Sequence, residues 1–584
     1  MQLQGQHVLI LGLGASGLAM ARWCAQAGAD VTVADTRDTP PQLAALQAEW
    51  PGVHFVAGPF VASLVEGTSM RAVFRSPGLA PDVVAPVVNA AHVMGLWQGG
   101  ELSLFAAGLQ DLKTHFGYAP QVLAITGTNG KTTVTTLTGQ LVARAGKTVK
   151  VAGNIGPTLL DTLAQAKVQA QAKVKQEAAE RAAAEMNNED GASVQPSVSA
   201  VRDADISIQP EDQLSNELAH PDSTLSSQED QAESDWPQCV PPARLNPMAQ
   251  AMPQVWVLEL SSFQLDSSEG FEPTAATVLN ISQDHLDWHG NMSDYAAAKA
   301  RIFGDQALMV LNREDPKVMA MRPEPVRVKL QKPVERVCVH FGGDMPQRPG
   351  DFGIEVTHGM TWLVRALEAD ETRRRRKDAE EELHIQRLIP ADALRIRGRH
   401  NAVNALAALA LASSAGCALG PMLYGLREYR GEPHRVEPVA IIHAVEFFDD
   451  SKGTNVGATV AALQGLGADR RVVIILGGEG KGQDFTPLAE PVKRFARGVV
   501  LIGRDAPVIR EALQGTDVPL HDATDMHDAV EQAAAMARSG DAVLMSPACA
   551  SFDMFDNYGH RAEVFVQAVT SLAEAAGVVM EGGL

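Results

Sequence analysis

Cysteine is scarce in this chain: five in 584 residues (Cys24, Cys239, Cys338, Cys417, Cys549), scattered, odd in number and never in C-x-x-C spacing. That pattern argues against a disulfide framework and a cysteine-held zinc, and for a reducing compartment. No apolar run reaches the ~18 residues that a membrane span requires. The first residues, MQLQGQHVLILGLG, lack a basic segment and pass straight into a strand pattern, so no signal peptide is expected and the location is expected to be cytoplasmic. Positive charge is in deficit, with a formal net charge of −21, which disfavours nucleic acid as the main partner. An anionic small substrate stays compatible, because the field inside a site can oppose the global sign. Hydrophobic residues, at 45%, are ample for buried cores, and at ~150 residues per domain the length suggests three or four domains.

The chain is organised around residues 121–145, QVLAITGTNGKTTVTTLTGQLVARA. Apolar Val122 to Ile125 end at Thr126-Gly127, a Gly/Asn loop follows, and Leu137 and Leu141 lie four apart in a helical pattern. That is strand, loop, helix. Glycine lets backbone N–H groups crowd around a phosphate, and the helix N-terminus adds partial positive charge. Gly127, Thr128, Asn129, Gly130 and Thr133 belong to the cradle. Lys131 would reach the outer phosphates and the Thr132 hydroxyl would ligate Mg²⁺. The spacing departs from the usual phosphate-loop pattern in one place: Ile125 stands where its first glycine belongs.

Residues 7–35 read as strand, glycine turn, helix, strand. Gly12-Leu13-Gly14-Ala15-Ser16-Gly17 fits G-x-G-x-x-G, and Asp35 ends the second strand where a dinucleotide-binding unit places its ribose carboxylate. Taken alone, this predicts a nicotinamide enzyme. Ser76-Pro77-Gly78 follows another strand, Arg71 to Arg75. From about Asp161 to Pro253 the chain is rich in Ala, Gln, Ser, Glu and Asp and holds roughly ten of the net negative charges. Its first part fits a solvated helix and the remainder a disordered insertion in a surface loop.

Val255 to Leu260 resumes as a buried strand interrupted by Glu259, a carboxylate that must be paired or metal-bound. The strand Ala276 to Ile281 ends in SQDHLDWH. His285 and His289 lie four apart, but the Glu of H-E-x-x-H is missing, so zinc is not expected. Lys299 lies in a helix among alanines, where a lysine is ordinarily solvated. The run 367–383, with five consecutive basic residues, reads as an exposed helix or loop. Asn401 and Asn404, three apart on one helix face, suit hydrogen bonding to a base or ribose. Three strands in the last unit end in polar loops, DSKGTN at 450–455, GGEGKG at 477–482 and SPACASFD at 546–553, at the ligand-binding edge of an open α/β sheet.

Together these blocks resemble the Mur ligase family of peptidoglycan synthesis. GTNGKTT at 127–133, LELSSFQL at 258–265, NISQDHLDWHG at 280–290, YAAAKARIF at 295–303, GRHNAVNALAA at 398–408, HRVE at 434–437, DDSKGTN at 449–455, GGEGKGQDF at 477–485 and SPACASFDMF at 546–555 are similar to family blocks. The resemblance implies an α/β protein of three domains. These are a Rossmann-like N-terminal domain (1–99), a central P-loop mononucleotide-binding domain (100–430) carrying the low-complexity insertion 161–253, and a Rossmann-like C-terminal domain (431–584).

The resemblance also implies a reaction in which ATP activates the carboxyl of UDP-N-acetylmuramoyl-L-alanine for amide formation with D-glutamate. Ser16, Asp35, Thr36, Arg37, Ser76, Pro77, Gly78, Asn154 and His285 would hold the uridine-diphosphate sugar. The phosphate loop with Asn401, Asn404, Arg435 and Asp450 would hold ATP. Lys452, Thr454, Lys481, Ser551 and Tyr558 would hold D-glutamate. Thr132, Glu259, His285 and Lys299 would serve two Mg²⁺ sites, with Lys299 carbamylated so that its added carboxylate is a ligand. Lys131, His285 and Lys299 would be the catalytic residues. Two places depart from the family: Tyr558 where Phe is more common, and Gly453 where Ala is. Rival readings are a nicotinamide oxidoreductase, a folylpolyglutamate synthase-like ligase and a non-catalytic nucleotide-sugar binder. No nucleic acid or membrane partner is expected, and a monomer is.

Overall fold

The structure is a computed structural model that describes residues 3–190, 246–326, 333–369, 383–468 and 470–578. Its strands form three large α/β sheets, each built from near-continuous Val/Ile/Leu/Ala runs because parallel strands are buried on both faces. In the first sheet, β1 (His7–Leu11), β2 (Asp30–Asp35), β3 (His54–Ala57), β4 (Met70–Arg75) and β5 (Trp97–Gly99) run parallel in the order β3-β2-β1-β4-β5. The winding reverses between β1 and β4. A crevice therefore opens beyond their C-terminal ends, where the Gly12 and Ser76 loops meet.

The second sheet has β6 (Gln121–Thr126), β7 (Val149–Gly153), β8 (Val255–Glu259), β9 (Ala275–Val278), β10 (Leu308–Asn312) and β11 (Cys338–Phe341), all parallel, in the order β11-β10-β9-β6-β8-β7. β6 is flanked by β8 and β9, with Ile125 in register with both Glu259 and Thr277. The loops after these three strands are therefore neighbours, although far apart in sequence.

A small antiparallel sheet, β12 (Phe352–Thr357), β13 (Met360–Glu368) and β14 (Leu383–Pro390), was not foreseen from the sequence. It corrects the reading of the 367–383 charge run at both ends, since Leu367 and Glu368 pair with His384 and Leu383 across the β13–β14 ladder. Residues 370–382 lie outside the described residues. Phe352, Ile354, Leu363 and Ile389 form the buried face of this sheet, in one core with the helix Arg399–Ser414. That helix is apolar nearly all round and correspondingly buried, in contact with β9, β10, β11 and the helix Lys131–Arg144. Its alanines combine high helix propensity with close approach to its neighbours.

The third sheet has β15 (Glu437–Ile442), β16 (Val445–Asp449), β17 (Val472–Gly477), β18 (Ala496–Ile502), β19 (Leu520–Asp522) and β20 (Ala542–Met545) in the order β15-β16-β20-β17-β18-β19. Only the β15–β16 hairpin is antiparallel. β16, β20 and β17 are adjacent and point their C-terminal ends at one edge, which carries all three polar loops picked out in the sequence.

The acidic stretch begins inside the fold rather than at Asp161. A helix runs Leu159–Asp190, and it buries Leu159, Leu160, Leu163, Ala166 and Ala170 against the helices Ala15–Gln26 and Glu101–Phe116. Composition hid this, because five apolar positions suffice to dock a helix whose other faces are polar. A short helix, Pro247–Ala251, returns the chain to β8 with Met248 buried. The remainder of the proposed insertion, 191–245, lies outside the described residues.

Candidate active site

The phosphate loop is held by backbone geometry that only glycine accommodates. Gly127 has φ +152° and Gly130 φ +82°; a Cβ on Gly127 would sit 3.1 Å from the backbone nitrogen of Leu279, and one on Gly130 2.8 Å from Asn404 Oδ1. The loop is zipped to the loop after β9. Thr128 N–H donates to the Asn280 carbonyl (2.9 Å), Asn129 N–H to Asn280 Oδ1 (2.8 Å), and Ser282 N–H to Thr128 Oγ1 (3.0 Å). Asn404 donates to Asn401 Oδ1 (3.2 Å), which fixes the pair against Gly130 and puts both asparagines beside the phosphate loop. Thr132 and Thr133, in the first turn of the helix that follows, are buried.

Lys131 Nζ donates to the carbonyls of Gly127 (3.0 Å) and Thr128 (2.9 Å). Lys299 Nζ donates to Thr126 Oγ1 (3.2 Å) and to the same Gly127 carbonyl (2.9 Å). The lysine among alanines is thus not solvated, as its sequence surroundings suggest, but 2% exposed; Asn291 caps its helix, Met292–Ala300, and aims it inward. Burial first, and then the like charge of Lys131, hold its ammonium well below the usual lysine range. Burial also lowers Lys131, opposed by Glu259 and Asp284.

Glu259 ends β8 at 1% exposure, and a capping box at Ser261 and Gln264 starts the next turn immediately after it. Its Oε1 accepts from Asn154 Nδ2 (3.0 Å), while its Oε2 is buried with no partner. An orphaned buried carboxylate oxygen is the kind of hard donor that a divalent cation takes. His285 sits at left-handed φ (+52°), exposed at the rim, with Asp284 at 3.5 Å and Phe263 edge-on at 4.8 Å. Partial burial and then Lys131 and Lys299 lower its pKa, against the pull of Asp284. His289 instead turns inward to Ser262 Oγ (2.9 Å) and stacks on Phe263, so the two histidines do not converge.

The third sheet reaches into this site. Arg435 Nη2 donates to Thr132 Oγ1 (2.8 Å) and Asn455 Nδ2 to Asn129 Oδ1 (3.2 Å); a Cβ on Gly457 would meet Ser282 Oγ at 2.7 Å. Asp450 is buried and accepts from Ser546 Oγ (2.6 Å); burial pushes its pKa up to about 7. Nearby, Lys452 Nζ lies 4.9 Å over the Tyr558 ring and Lys481 Nζ 5.6 Å over Phe552. Ser551 is buried, and the GGEGKG and SPACAS loops pair through Glu479 and Ala550. Thr454 lies in the turn between Lys452 and the Asn455 cap.

In the first sheet the glycine loop is clasped from two sides. Asp35 accepts from Leu13 N–H (2.7 Å) and holds Arg37 in a fork (2.8 and 2.8 Å), and these bonds bring its pKa down to about 2 against the opposing effect of burial. With Arg37 N–H also bound, each Asp35 oxygen accepts two hydrogen bonds, and the carboxylate organises the loop. Ser76 Oγ donates to the Gly12 carbonyl (2.9 Å). Thr36, Pro77 and Gly78 line the same strand-end loops. Asn154 is tied to Glu259 by side chain and backbone, so it faces the central site.

Sequence reasoning passed over four residues. Asn280 aligns the phosphate loop. Tyr295 is buried, with its hydroxyl 3.1 Å from Thr128 Oγ1. Gln483 accepts from Val456 N–H (3.1 Å) and donates to the Gly480 carbonyl (3.0 Å), binding two site loops together. Glu101 is buried against Ser16. The first three stand inside the quoted motif blocks, where an amide or hydroxyl next to a glycine loop was the available signal; Glu101 stands outside every block.

Three sequence profiles match the chain: "Mur ligase MurD-like, N-terminal domain" over residues 6–97, "Mur ligase middle domain" over 125–205 and 228–333, and "Mur ligase, glutamate ligase domain" over 434–549. The chain is 60% identical over 580 residues to a UDP-N-acetylmuramoylalanine--D-glutamate ligase of Albidiferax ferrireducens, with 99% of each chain covered. It is 52% identical over 664 residues to the protein of the same name from a Polaromonas species, covering 99% of this chain and 100% of the other. Among solved structures it is similar to MurF ligase from Thermotoga maritima in complex with ADP, at 13% identity and TM-score 0.47, over 98% of this chain and 96% of that one.

Proposed function

The chain belongs to the Mur ligase family, and from that premise we propose how its residues divide the work of the reaction. It is an ATP-dependent amide ligase of peptidoglycan precursor synthesis that joins D-glutamate to UDP-N-acetylmuramoyl-L-alanine. The observation that carries the division of roles is the meeting, at one carbonyl and one hydroxyl, of Lys131, Lys299 and Arg435 beside the orphaned oxygen of Glu259.

A carboxylate is a poor acceptor for an amine, because its charge repels the amine's lone pair. Transfer of the γ-phosphoryl group to the L-alanyl carboxylate removes that charge and gives an acyl phosphate and ADP. The D-glutamate amine then attacks the acyl carbon, and phosphate leaves from the tetrahedral adduct. The first step brings an anion to ATP. At ~4 Å and an effective dielectric of about 20, each unit-charge pair repels by roughly 4 kcal/mol. Lys131 opposes that repulsion from its place at the head of the helix, and Arg435 adds a second positive charge from the third sheet.

Thr132, Glu259, His285 and Lys299 would hold Mg²⁺ at two sites, and the ion would neutralise phosphate charge when bound. Lys299 suits carbamylation for a physical reason. The reaction with CO₂ needs a neutral amine, and burial beside Lys131 favours that form. Asn401, Asn404 and Asp450 would bind the rest of ATP. Lys452, Thr454, Lys481, Ser551 and Tyr558 would hold D-glutamate, and Ser16, Asp35, Thr36, Arg37, Ser76, Pro77, Gly78, Asn154 and His285 the uridine-diphosphate sugar. Domains of 1–99, 100–430 and 431–584 follow this division. The protein is proposed to act as a cytoplasmic monomer. Among the described residues no helix is long and apolar enough to cross a membrane.

The full-length similarity to D-glutamate ligases speaks against a nicotinamide enzyme. The deciding experiment is phosphate release from ATP and UDP-N-acetylmuramoyl-L-alanine with D-glutamate, L-glutamate, L-alanine or diaminopimelate as the third substrate. Release with D-glutamate alone is expected. Equal release with any other amino acid would overturn the assignment of the acceptor site.

A further inference from the structure

One buried carboxylate has no part in the chemistry above. Glu101 is 2% exposed at the start of the helix Glu101–Phe116. Its Oε2 accepts from Ser16 Oγ (2.7 Å) and its Oε1 from Leu160 N–H (3.1 Å). Ser16 lies in the first turn of the helix Ala15–Gln26 and Leu160 in the first turn of Leu159–Asp190. Three helix N-termini, from three separate stretches of chain, therefore converge on one carboxylate. Each contributes partial positive charge that offsets burial of the anion.

This is more than helix capping. Thr158 already caps the Leu159 helix, accepting from Asp161 N–H (3.3 Å). The Glu101 carboxylate is additional, and its reach is across elements: from the glycine loop after β1 to the segment 153–158 that follows β7. The rest of the junction is built as tightly. A Cβ on Gly100 would meet Ser267 Oγ at 2.7 Å and the Arg75 carbonyl at 3.3 Å, and Arg75 pairs with Asp266 at 2.6 Å just before Ser76. The Ser16 hydroxyl proton is committed to Glu101, and the backbone N–H groups that a helix leaves unpaired at its N-terminus are the donors this end offers an anion.

We propose that Glu101 is a positioning residue for the nucleotide-sugar substrate: by tying Ser16 to Leu160 it holds the Gly12–Gly17 loop and the Asn154 loop as one cradle for a diphosphate. The proposal rests on the reading that these two loops bind the uridine-diphosphate sugar.

Steady-state KM values for UDP-N-acetylmuramoyl-L-alanine, ATP and D-glutamate separate the possibilities, with thermal unfolding of each variant alongside. Glu101→Ala and Glu101→Asp both break the bridge, the second with its charge retained. Each is expected to raise KM for the nucleotide sugar about tenfold and to leave the other two within about twofold, as the loss of one or two buried hydrogen bonds predicts. Glu101→Gln, which can still span both partners, should recover most of the loss. Unchanged KM for the nucleotide sugar in Glu101→Asp, or a rise shared equally by all three substrates, would overturn the proposal. Arg37→Ala and Ser76→Ala test the underlying reading. If they raise that KM and the Glu101 variants do not, the Glu101 proposal alone fails. If they too leave it unchanged, the binding assignment fails and this proposal with it.

Discussion

The helix Lys131–Arg144 begins after one left-handed glycine and ends before another, and the pair makes a controlled test of the ATP site. Gly130 and Gly146 both have φ +82°, but a Cβ on Gly130 would lie 2.8 Å from Asn404 Oδ1, whereas nothing lies within 4 Å of one on Gly146. Alanine at either position costs about 1 kcal/mol of backbone strain and shares the same effect on the unfolded chain. Only Gly130→Ala must also push Asn404 away from Asn401, a hydrogen bond worth about 1 kcal/mol. That difference of about 1 kcal/mol should appear as a roughly fivefold rise in KM for ATP, with ATP varied in a phosphate-release assay and the other substrates saturating. Gly146→Ala should keep the parent value. Equal ATP KM in the two variants would refute the claim that the asparagine pair is held in place for ATP.

Lys131→Ala should cut turnover about a hundredfold or more, the scale of removing one electrostatic stabiliser from a phosphoryl transfer; near-normal phosphate release would take the loop out of the chemistry. Glu259→Gln should raise the magnesium concentration for half-maximal activity at least tenfold with ATP saturating, since it neutralises the orphaned oxygen; an unchanged magnesium titration would place the ion elsewhere. His400 lies with its Nδ1 buried and unpartnered against Gly465, and burial lowers its pKa to about 4. Its neutral form is the folded one, so the unfolded chain binds more protons between pH 6.5 and 4, and the folded state loses stability as pH falls through that window. His400→Asn should flatten this acid limb in unfolding experiments run from pH 7 to 4; an identical limb would contradict the assignment. Lys299→Met should abolish ligation yet raise the unfolding temperature at pH 7, because it replaces a buried amine with an apolar side chain.

Much of the fold was legible because parallel strands announce themselves. Val122 to Ile125, Val255 to Leu258 and Val472 to Leu476 are unbroken apolar runs that stop at Thr126, Glu259 and Gly477, and each of those three residues ends its strand. The small sheet was missed because β12 to β14 carry charges such as Glu355 and Arg387 and adjoin the 367–383 run, which outweighed the apolar alternation of Phe352 and Ile354 on the face shared with Leu363 and Ile389. The start of the Leu159 helix was missed for a related reason, since composition over a long window averages away a docking face of five residues. Motif residues were legible individually, but their partners were not: nothing local to Asn280, Gln483 or Glu101 indicates the loop each one holds.

Lys299 shows why the site could not have been assembled from spacing alone. Its helix neighbours are small and its sequence position is unremarkable, yet its ammonium and that of Lys131, 168 positions earlier, donate to a single carbonyl. Burial lowers both amines and the charge of Lys131 lowers Lys299 further, and the groups that oppose this arrive on other strands: Glu259 at the end of β8 and Asp284 beyond β9. Sheet order, with β6 set between β8 and β9, brings these charges within reach of one another. The third sheet then adds Arg435 to the same threonine that the phosphate loop presents. A change that loosens the packing of the helix Val456–Gly467 on Asn129 and Ser282 should therefore weaken catalysis without touching a catalytic group, because docking of the third sheet and charge balance at the phosphate loop are one event.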